Sequence, residues 1–105
     1  MGEPIVVMTT TNTQKEAKTL AGLLVENGFA ACVQIIPKIN SIYVWQGKIH
    51  DDQEYLLLIK TLDDKLPKLR KAIEDNHSYE VPEFLVLPVA GASQDYLEWM
   101  KNVTR

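Results

Sequence analysis

The stretch Ser41-Ile42-Tyr43-Val44-Trp45-Gln46-Gly47-Lys48 decides the fold of this chain. Gln46-Gly47 is a pair typical of a tight β-hairpin turn, because glycine adopts a positive φ without steric cost. The segments on either side, Ala31 to Trp45 and Lys48 to Thr61, are rich in β-branched and other apolar residues. The sequence therefore predicts a long β-hairpin that turns at Gln46-Gly47.

The predicted hairpin is too long to lie wholly on its own domain. Each arm has about 14 or 15 residues and would span roughly 45–50 Å when fully extended. A compact domain of this chain length has a radius of gyration of only about 13 Å. We expect Pro37, which removes a ladder donor, to mark a bend or bulge, and the tip at Tyr43–Trp45 to leave the domain. Exposed apolar residues on free strand edges promote association, so the hairpin predicts an oligomer.

A strand and a helix precede the hairpin. Ile5–Thr9 is apolar and β-branched, which is typical of a buried strand. Thr13 and Glu16 have the spacing of a reciprocal capping box, and Gly28 stands where a helix would end. The residues predicted on the buried face of this helix are Ala17, Leu20, Ala21, Leu24 and Val25.

A helix, a strand and a last helix are predicted after the hairpin. The helix spans Asp63–Asn76, with Pro67 in the first turn, where proline is tolerated. The strand spans Phe84–Leu87, and Ser93 is the expected N-cap of the last helix. The apolar residues predicted on these helices are Leu66, Leu69 and Ile73 in the first, and Tyr96, Leu97, Trp99 and Met100 in the second.

The order of elements predicts the fold class. A β-α-β-β-α-β order followed by a helix is the split-βαβ arrangement. We therefore expect an α+β, ferredoxin-like sandwich with a long protruding β-hairpin. At 105 residues, the chain is expected to form one domain, residues 1–105.

Composition disfavours several classes of partner. Apolar residues make up 46% of the chain, the net charge is −3, and the only arginines are Arg70 and Arg105. Neither nucleic acid nor a membrane surface is therefore an expected partner, because both attract basic faces. A single cysteine, Cys32, forms no intrachain disulfide and needs no oxidising compartment. The start, Met1–Met8, lacks the basic and long apolar regions of a signal peptide, so we expect a cytoplasmic protein.

No motif in the sequence indicates an enzyme, so the chain is predicted to be non-enzymatic. Glycine-rich phosphate loops, nucleophile elbows and His-Glu-x-x-His helices are all missing from the sequence. Cys32 could be a soft metal ligand, although a small buried side chain is the favoured interpretation. His77 could bind copper or zinc or act as a cation at a helix end, and both interpretations remain open.

Other polar and aromatic side chains have two interpretations each. Glu54 lies among apolar positions of the second hairpin arm, where it either faces a cleft or lies on a solvated strand face. His50-Asp51-Asp52 offers metal-binding atoms, but charged residues are also expected beside a turn. Trp45 and Trp99 could stack on a ligand, although interface or core positions are favoured.

Taken together, four motifs distributed over essentially the whole chain resemble the CutA divalent-cation-tolerance family. One departure is Ser78, where that family usually has proline after the histidine. The motifs are Ala30-Ala31-Cys32-Val33, Ser41–Lys48, His77-x-Tyr79-Glu80-Val81-Pro82-Glu83 and Tyr96-Leu97-x-Trp99.

The resemblance implies a homotrimer of ferredoxin-like subunits, similar in shape to the PII signalling proteins and associated with tolerance of copper and other divalent cations. It implies a cleft between subunits, and the residues that it places there are Trp45, Glu54, Lys60, His77 and Tyr79. The copper ligands proposed in the family fall on Met8, Asn76 and His77, so only one histidine remains.

With Cys32 as a further soft atom, the metal candidates are His77, Met8 and Cys32. We therefore expect weak binding of copper or another divalent cation near the cleft, with no cofactor required. The alternative is a PII-like signalling or scaffold trimer whose cleft binds a small molecule or a protein partner. A hydrolase with Cys32 or Ser78 beside His77 is a third hypothesis.

Overall fold

The computed structural model describes residues 2–105 and confirms the predicted fold class. The four strands form one antiparallel sheet in the order β2-β3-β1-β4. With the chain order βαββαβ, this is a ferredoxin-like α+β arrangement, followed by a last helix. The elements are β1 (Pro4–Thr11), α1 (Gln14–Glu26), β2 (Cys32–Trp45), β3 (Lys48–Leu62), a 3₁₀ turn (Asp63–Lys65), α2 (Leu66–Asn76), β4 (Leu85–Pro88) and α3 (Gln94–Val103).

The hydrophobic core lies between one face of the sheet and helices α1 and α2. Alternate residues of a strand share a face, and those of β1 and β3 that face the helices are fully buried. Helix α1 buries Leu20 and Leu24 against them, and α2 buries Leu69 and Ile73. The strand residues of this core are Ile5, Val7, Leu57 and Ile59.

The N-cap and the stop of α1 lie where the sequence predicts, but the predicted buried face contains one error. Thr13 Oγ1 accepts a hydrogen bond from the Glu16 amide at 3.1 Å. Gly28, at φ +72°, ends the helix in the left-handed region that glycine tolerates. The prediction that Val25 is buried is wrong, because 43% of it is exposed on the outer side of the last turn.

The hairpin turns and bends where the sequence predicts. Gln46 and Gly47 both have positive φ, 51° and 77°, which matches a turn that follows the strand twist. The register between β2 and β3 shifts between Ile36 and Ile39, and Lys38 has φ +57°, so the predicted irregularity at Pro37 is confirmed. The molecule is 44 Å long but only 25 and 22 Å across.

Within residues 2–105, the second face of the sheet lacks a complete covering layer. Its end near Leu62 is covered, where Met100 of α3 packs against that residue and Ala31. Lys60 on the same face holds its ammonium over the Tyr96 ring. The large apolar side chains elsewhere on this second face are half-buried or exposed: Val6, Met8, Ile36, Leu56, Leu58, Leu85 and Leu87.

The remaining helices begin as predicted. Asp63–Lys65 form a 3₁₀ turn before α2, and Pro67 lies in the first turn of the α-helix. Ser93 Oγ accepts a hydrogen bond from the Tyr96 amide at 3.2 Å, which confirms the cap of α3. Among residues 2–105, no helix is both long and apolar enough to cross a membrane.

Candidate functional site

His77 is held by the backbone on both of its ring nitrogens. Tyr79 N–H donates to Nδ1 at 3.0 Å, and Nε2 lies 2.7 Å from the Thr10 carbonyl oxygen. Since Nδ1 accepts, Nε2 carries the proton and donates to Thr10, which is the neutral tautomer. The side chain has no exposed surface. A metal could bind this imidazole only if one of the two hydrogen bonds were broken.

The residue after His77 is anchored to α1. The Glu16 carboxylate accepts hydrogen bonds from the Ser78 amide at 2.7 Å and from Ser78 Oγ at 3.0 Å. The reciprocal half of the predicted capping box is therefore not formed, because Glu16 bonds to the loop after α2 instead of to its own N-cap. These bonds and those of His77 fix the loop of residues 77–83 at the end of β1.

After Ser78, the loop places Tyr79 against Glu54, an acidic residue of strand β3. Tyr79 O–H donates to Glu54 Oε2 at 2.6 Å. Glu54 is only 7% exposed, and its strand position puts it on the second face of the sheet, in line with Leu56 and Leu58. The cleft interpretation of Glu54 is therefore favoured over a solvated strand face.

A cavity of about 720 Å³ opens beside this pair, between the hairpin and the loop. Its size is within the usual range for small-molecule sites. Trp45, Glu54 and Tyr79, which were predicted as cleft residues, are brought together in its wall. The lining residues are Thr10, Ser41, Ile42, Tyr43, Trp45, Glu54, Tyr79, Glu80, Val81, Pro82 and Glu83.

Three titratable groups in the cavity wall have raised pKa values, so each keeps its proton to a higher pH than usual. Burial, with a smaller contribution from the Glu54 charge, raises the pKa of the Glu83 carboxyl. Burial and the hydrogen bond to Glu54 raise the pKa of the Tyr79 phenol. The hydrogen bond that Tyr43 donates to Asp52 raises its pKa to about 12. Both phenols therefore stay protonated at neutral pH, with their protons directed at carboxylates.

The three metal candidates are not brought to one point. Cys32, half-buried, pairs in register with Lys60 of β3, whereas Met8 lies on β1, the strand beyond. Two strand spacings and a two-residue offset put their backbones about 12 Å apart. Residues 2–105 contain no group of three or more His, Cys, Asp or Glu side chains suited to a metal ion. These side chains do not fit a closed site for copper.

Two other candidates lie away from the cavity. Lys60 is near the far end of β3, over the ring of Tyr96. His50 stacks on Tyr43 with ring centroids 5.3 Å apart, on the outer part of the hairpin. No histidine in the described chain pairs with Cys32, and Ser78 Oγ is engaged by Glu16, so neither version of the hydrolase hypothesis gains a nucleophile–base pair.

Sequence reasoning missed Tyr43 as a cavity residue and did not predict where Glu83 lies in the cavity wall. Tyr43 was considered only as part of the hairpin tip, although Tyr43 and Asp52 lie close to cross-strand positions once the turn is placed at Gln46-Gly47. The sequence groups Glu83 with Tyr79 and Glu80 as polar residues that favour a small-molecule or partner cleft, but it does not place Glu83 beside Glu54. Its approach to Glu54 depends on how the loop folds back, which no local spacing encodes.

Comparison with known proteins gives consistent matches over nearly the whole chain. Residues 5–103 match the family model described as CutA1 divalent ion tolerance protein. The chain is 46% identical over 101 residues to the protein CutA, chloroplastic, of Arabidopsis thaliana, covering 96% of this chain and 56% of that protein. It is 44% identical over 99 residues to the divalent-cation tolerance protein CutA of Thermus thermophilus, covering 94% and 96%. The chain thus spans little more than half the length of the plant relative.

Solved structures give the same result. The crystal structure of CutA1 from Oryza sativa superposes with a TM-score of 0.95 at 45% identity, covering 99% of this chain and 96% of that one. The divalent cation tolerance protein Cut A1 from Thermus thermophilus gives 0.94 at 43% identity, covering 97% and 99%. Both solved structures therefore resemble this chain in sequence as well as in fold.

Proposed function

The chain belongs to the CutA1 divalent ion tolerance family, and we propose that it acts in divalent-cation tolerance as a non-enzymatic, trimeric binding protein of the cytoplasm. The observation that carries the binding role is the nearly buried Glu54 carboxylate, which Tyr79 holds at the wall of a large cavity. Buried carboxylates without a basic partner are costly, and such a cost is typical of a site that binds something.

The trimer is supported by two apolar surfaces that one chain leaves open. The second face of the sheet exposes Leu85 and Leu87 at its edge, and the hairpin tip exposes Ile42, Val44 and Ile49. Surfaces of this kind mark protein–protein contacts in soluble proteins. Ile42 of the hairpin tip and Thr10 of the second face both line the cavity, so we propose that in the trimer it becomes a cleft between subunits.

We propose that copper or another divalent cation binds weakly in this cleft. The soft atoms of Met8 and Cys32 lie apart, and both nitrogens of His77 are engaged. Carboxylate oxygens remain, chiefly Glu54 and Glu83, and they line a wide space instead of surrounding one point. Few ligands in an open site give low affinity.

Calorimetric titration with Cu²⁺ tests this assignment. We expect Glu54→Gln to weaken binding, because it removes the buried negative charge, and we expect the exposed Glu26→Gln control to bind as the wild type does. Equal affinities for wild type and Glu54→Gln would remove Glu54 from the copper site. A loss confined to His77→Gln would put the ion on the imidazole instead.

A PII-like trimer that binds a small molecule is the second candidate, and the cavity volume favours it. About 720 Å³ is far more than one ion occupies and is typical of sites for small organic ligands. Thermal-shift screening of metabolites against divalent metals separates the two functions. Stabilisation by a metabolite with no response to metals would favour this candidate.

A further inference from the structure

The Glu54 carboxylate keeps unused acceptor capacity toward the cavity, where its Oε1 still reaches solvent. Its Oε2 accepts one bond, from Tyr79 O–H, whereas a carboxylate can accept about four. Oε1 accepts no side-chain or backbone hydrogen bond from residues 2–105, and none of the ion pairs described among them involves Glu54. At 7% exposure, the charge is largely removed from water. A donor that enters the cavity would therefore gain more there than at the surface.

The surroundings of that oxygen attract positive charge. Glu80 and Glu83 line the same cavity, and its described wall contains no lysine, arginine or histidine. The phenols of Tyr43 and Tyr79 direct their protons at Asp52 and Glu54, so only their oxygen lone pairs and ring faces remain for a ligand. An anionic ligand would find repulsion and few donors on this wall.

Three aromatic side chains make part of the cavity wall suitable for organic ligands. Tyr43, Trp45 and Tyr79 belong to its lining, and aromatic faces attract ammonium groups as well as apolar carbon. A bare metal ion gains little from such rings and needs several converging oxygen atoms, which residues 2–105 do not provide here. The wall thus suits a cation that carries a carbon chain.

We infer that this cavity binds an organic amine, whose ammonium group donates to Glu54 while its carbon chain contacts Tyr43, Trp45 and Tyr79. Glu83 offers a second carboxylate, so a short diamine complements the wall better than a monoamine. This inference rests on the second candidate function, a cleft that binds a small molecule, because it names the ligand class of that cleft.

Titration of the full chain with 1,4-diaminobutane, followed by amide NMR, tests the inference. Succinate and 1,4-butanediol are matched probes of similar length with negative and no charge. We expect the diamine to give saturable shifts at Glu54 and residues 79–83, and the other two probes to give none. Glu54→Gln should weaken diamine binding about tenfold or more, Glu83→Gln should weaken it less, and Glu26→Gln should leave it unchanged.

The outcomes separate the ligand class from the site. Succinate or butanediol binding as tightly as the diamine would overturn the amine while keeping the cleft as the binding site. Undiminished diamine binding by a folded Glu54→Gln variant would also overturn it. If neither the three probes nor Cu²⁺ perturbs residues 79–83, both the amine and the proposed cleft function fail.

Discussion

The imidazole of His77 fixes the loop that carries Tyr79. One ring nitrogen accepts from the Tyr79 amide and the other donates to the Thr10 carbonyl, so the ring joins β1 to the loop after α2. The ring of Tyr79 then lies 4.8 Å from that of His77. His77 has a structural role, and it serves the site through Tyr79 two residues further on, because the position of Tyr79 determines where the Glu54 carboxylate is held.

Replacing His77 by alanine is expected to lower the free energy of unfolding by about 2–3 kcal/mol, since it leaves a partly buried amide and carbonyl unpaired and creates a void. Denaturant unfolding followed by circular dichroism at fixed protein concentration measures this. His50→Ala, whose ring lies on the outer hairpin, is the control and should change stability by less than about 0.5 kcal/mol. Similar small losses in both variants would contradict the structural role.

Glu83→Gln is expected to stabilise the protein at neutral pH but not in acid. The pKa of Glu83 is raised in the folded state, so its charged form opposes folding. That penalty grows as the pH rises from the ordinary pKa of glutamate, about 4.3, through the raised folded value, and is complete above it. Because the group is partly exposed, the expected gain in Tm at pH 7 is only about 2 °C, with none at pH 3. Equal gains at both pH values, or a gain for Glu26→Gln, would contradict it.

The residues of the site divide into those that sequence could predict and those that it could not. Glu54, Tyr79 and Trp45 came from the family resemblance, and the structure brings them into one wall. Glu16 bonds to Ser78, which is 62 residues away in the chain. The capping-box spacing wrongly predicts that Glu16 bonds to its own N-cap instead. Lys60 also came from the resemblance, but within one chain it lies beside Tyr96.

The boundaries of the elements were predicted well because their signals are local. The cap at Thr13, the stop at Gly28 and the Gln46-Gly47 turn each depend on a few consecutive residues. Val25 was assigned to the wrong face, because Ala17, Leu20 and Leu24 already complete the buried stripe of α1. Val25, the fifth apolar residue of the predicted face, lies at the helix end, beyond the part of the sheet that these three residues contact.

Two glycines of the α1 region are expected to respond oppositely to alanine. Gly28 has φ +72°, and an added Cβ would lie 3.0 Å from the Arg105 backbone nitrogen, so Gly28→Ala should cost about 1–3 kcal/mol of unfolding free energy. Gly22 lies inside the helix with nothing within 4 Å of an added Cβ, so Gly22→Ala should gain about 0.5–1 kcal/mol. Thermal unfolding of both variants checks this, and losses of equal size would refute the argument from φ.

At the scale of the whole molecule, the described residues leave most of the second face of the sheet uncovered. The Leu56-Leu57-Leu58-Ile59 run predicts a strand covered on both faces, yet the helices bury only Leu57 and Ile59. Leu56 and Leu58 remain half-buried, in line with the exposed Leu85 and Leu87 across the sheet. Helices α1 and α2 lie on one side of the sheet and α3 covers only one end of the other, so another copy or another protein would be required to exclude water from the second face.

A charge placed on the second face is therefore expected to dissociate the protein. Light scattering should give wild type three times the 11.9 kDa of one chain, and Leu87→Glu the mass of one chain, since an unpaired carboxylate is costly in an apolar interface. Val25→Glu is a matched control, because Val25 and Leu87 are 43% and 44% exposed but Val25 lies on α1, beyond the opposite face. A wild-type mass of one chain would reject the trimer. Dissociation by Val25→Glu with an intact Leu87→Glu trimer would instead place the interface on the helical side of the molecule.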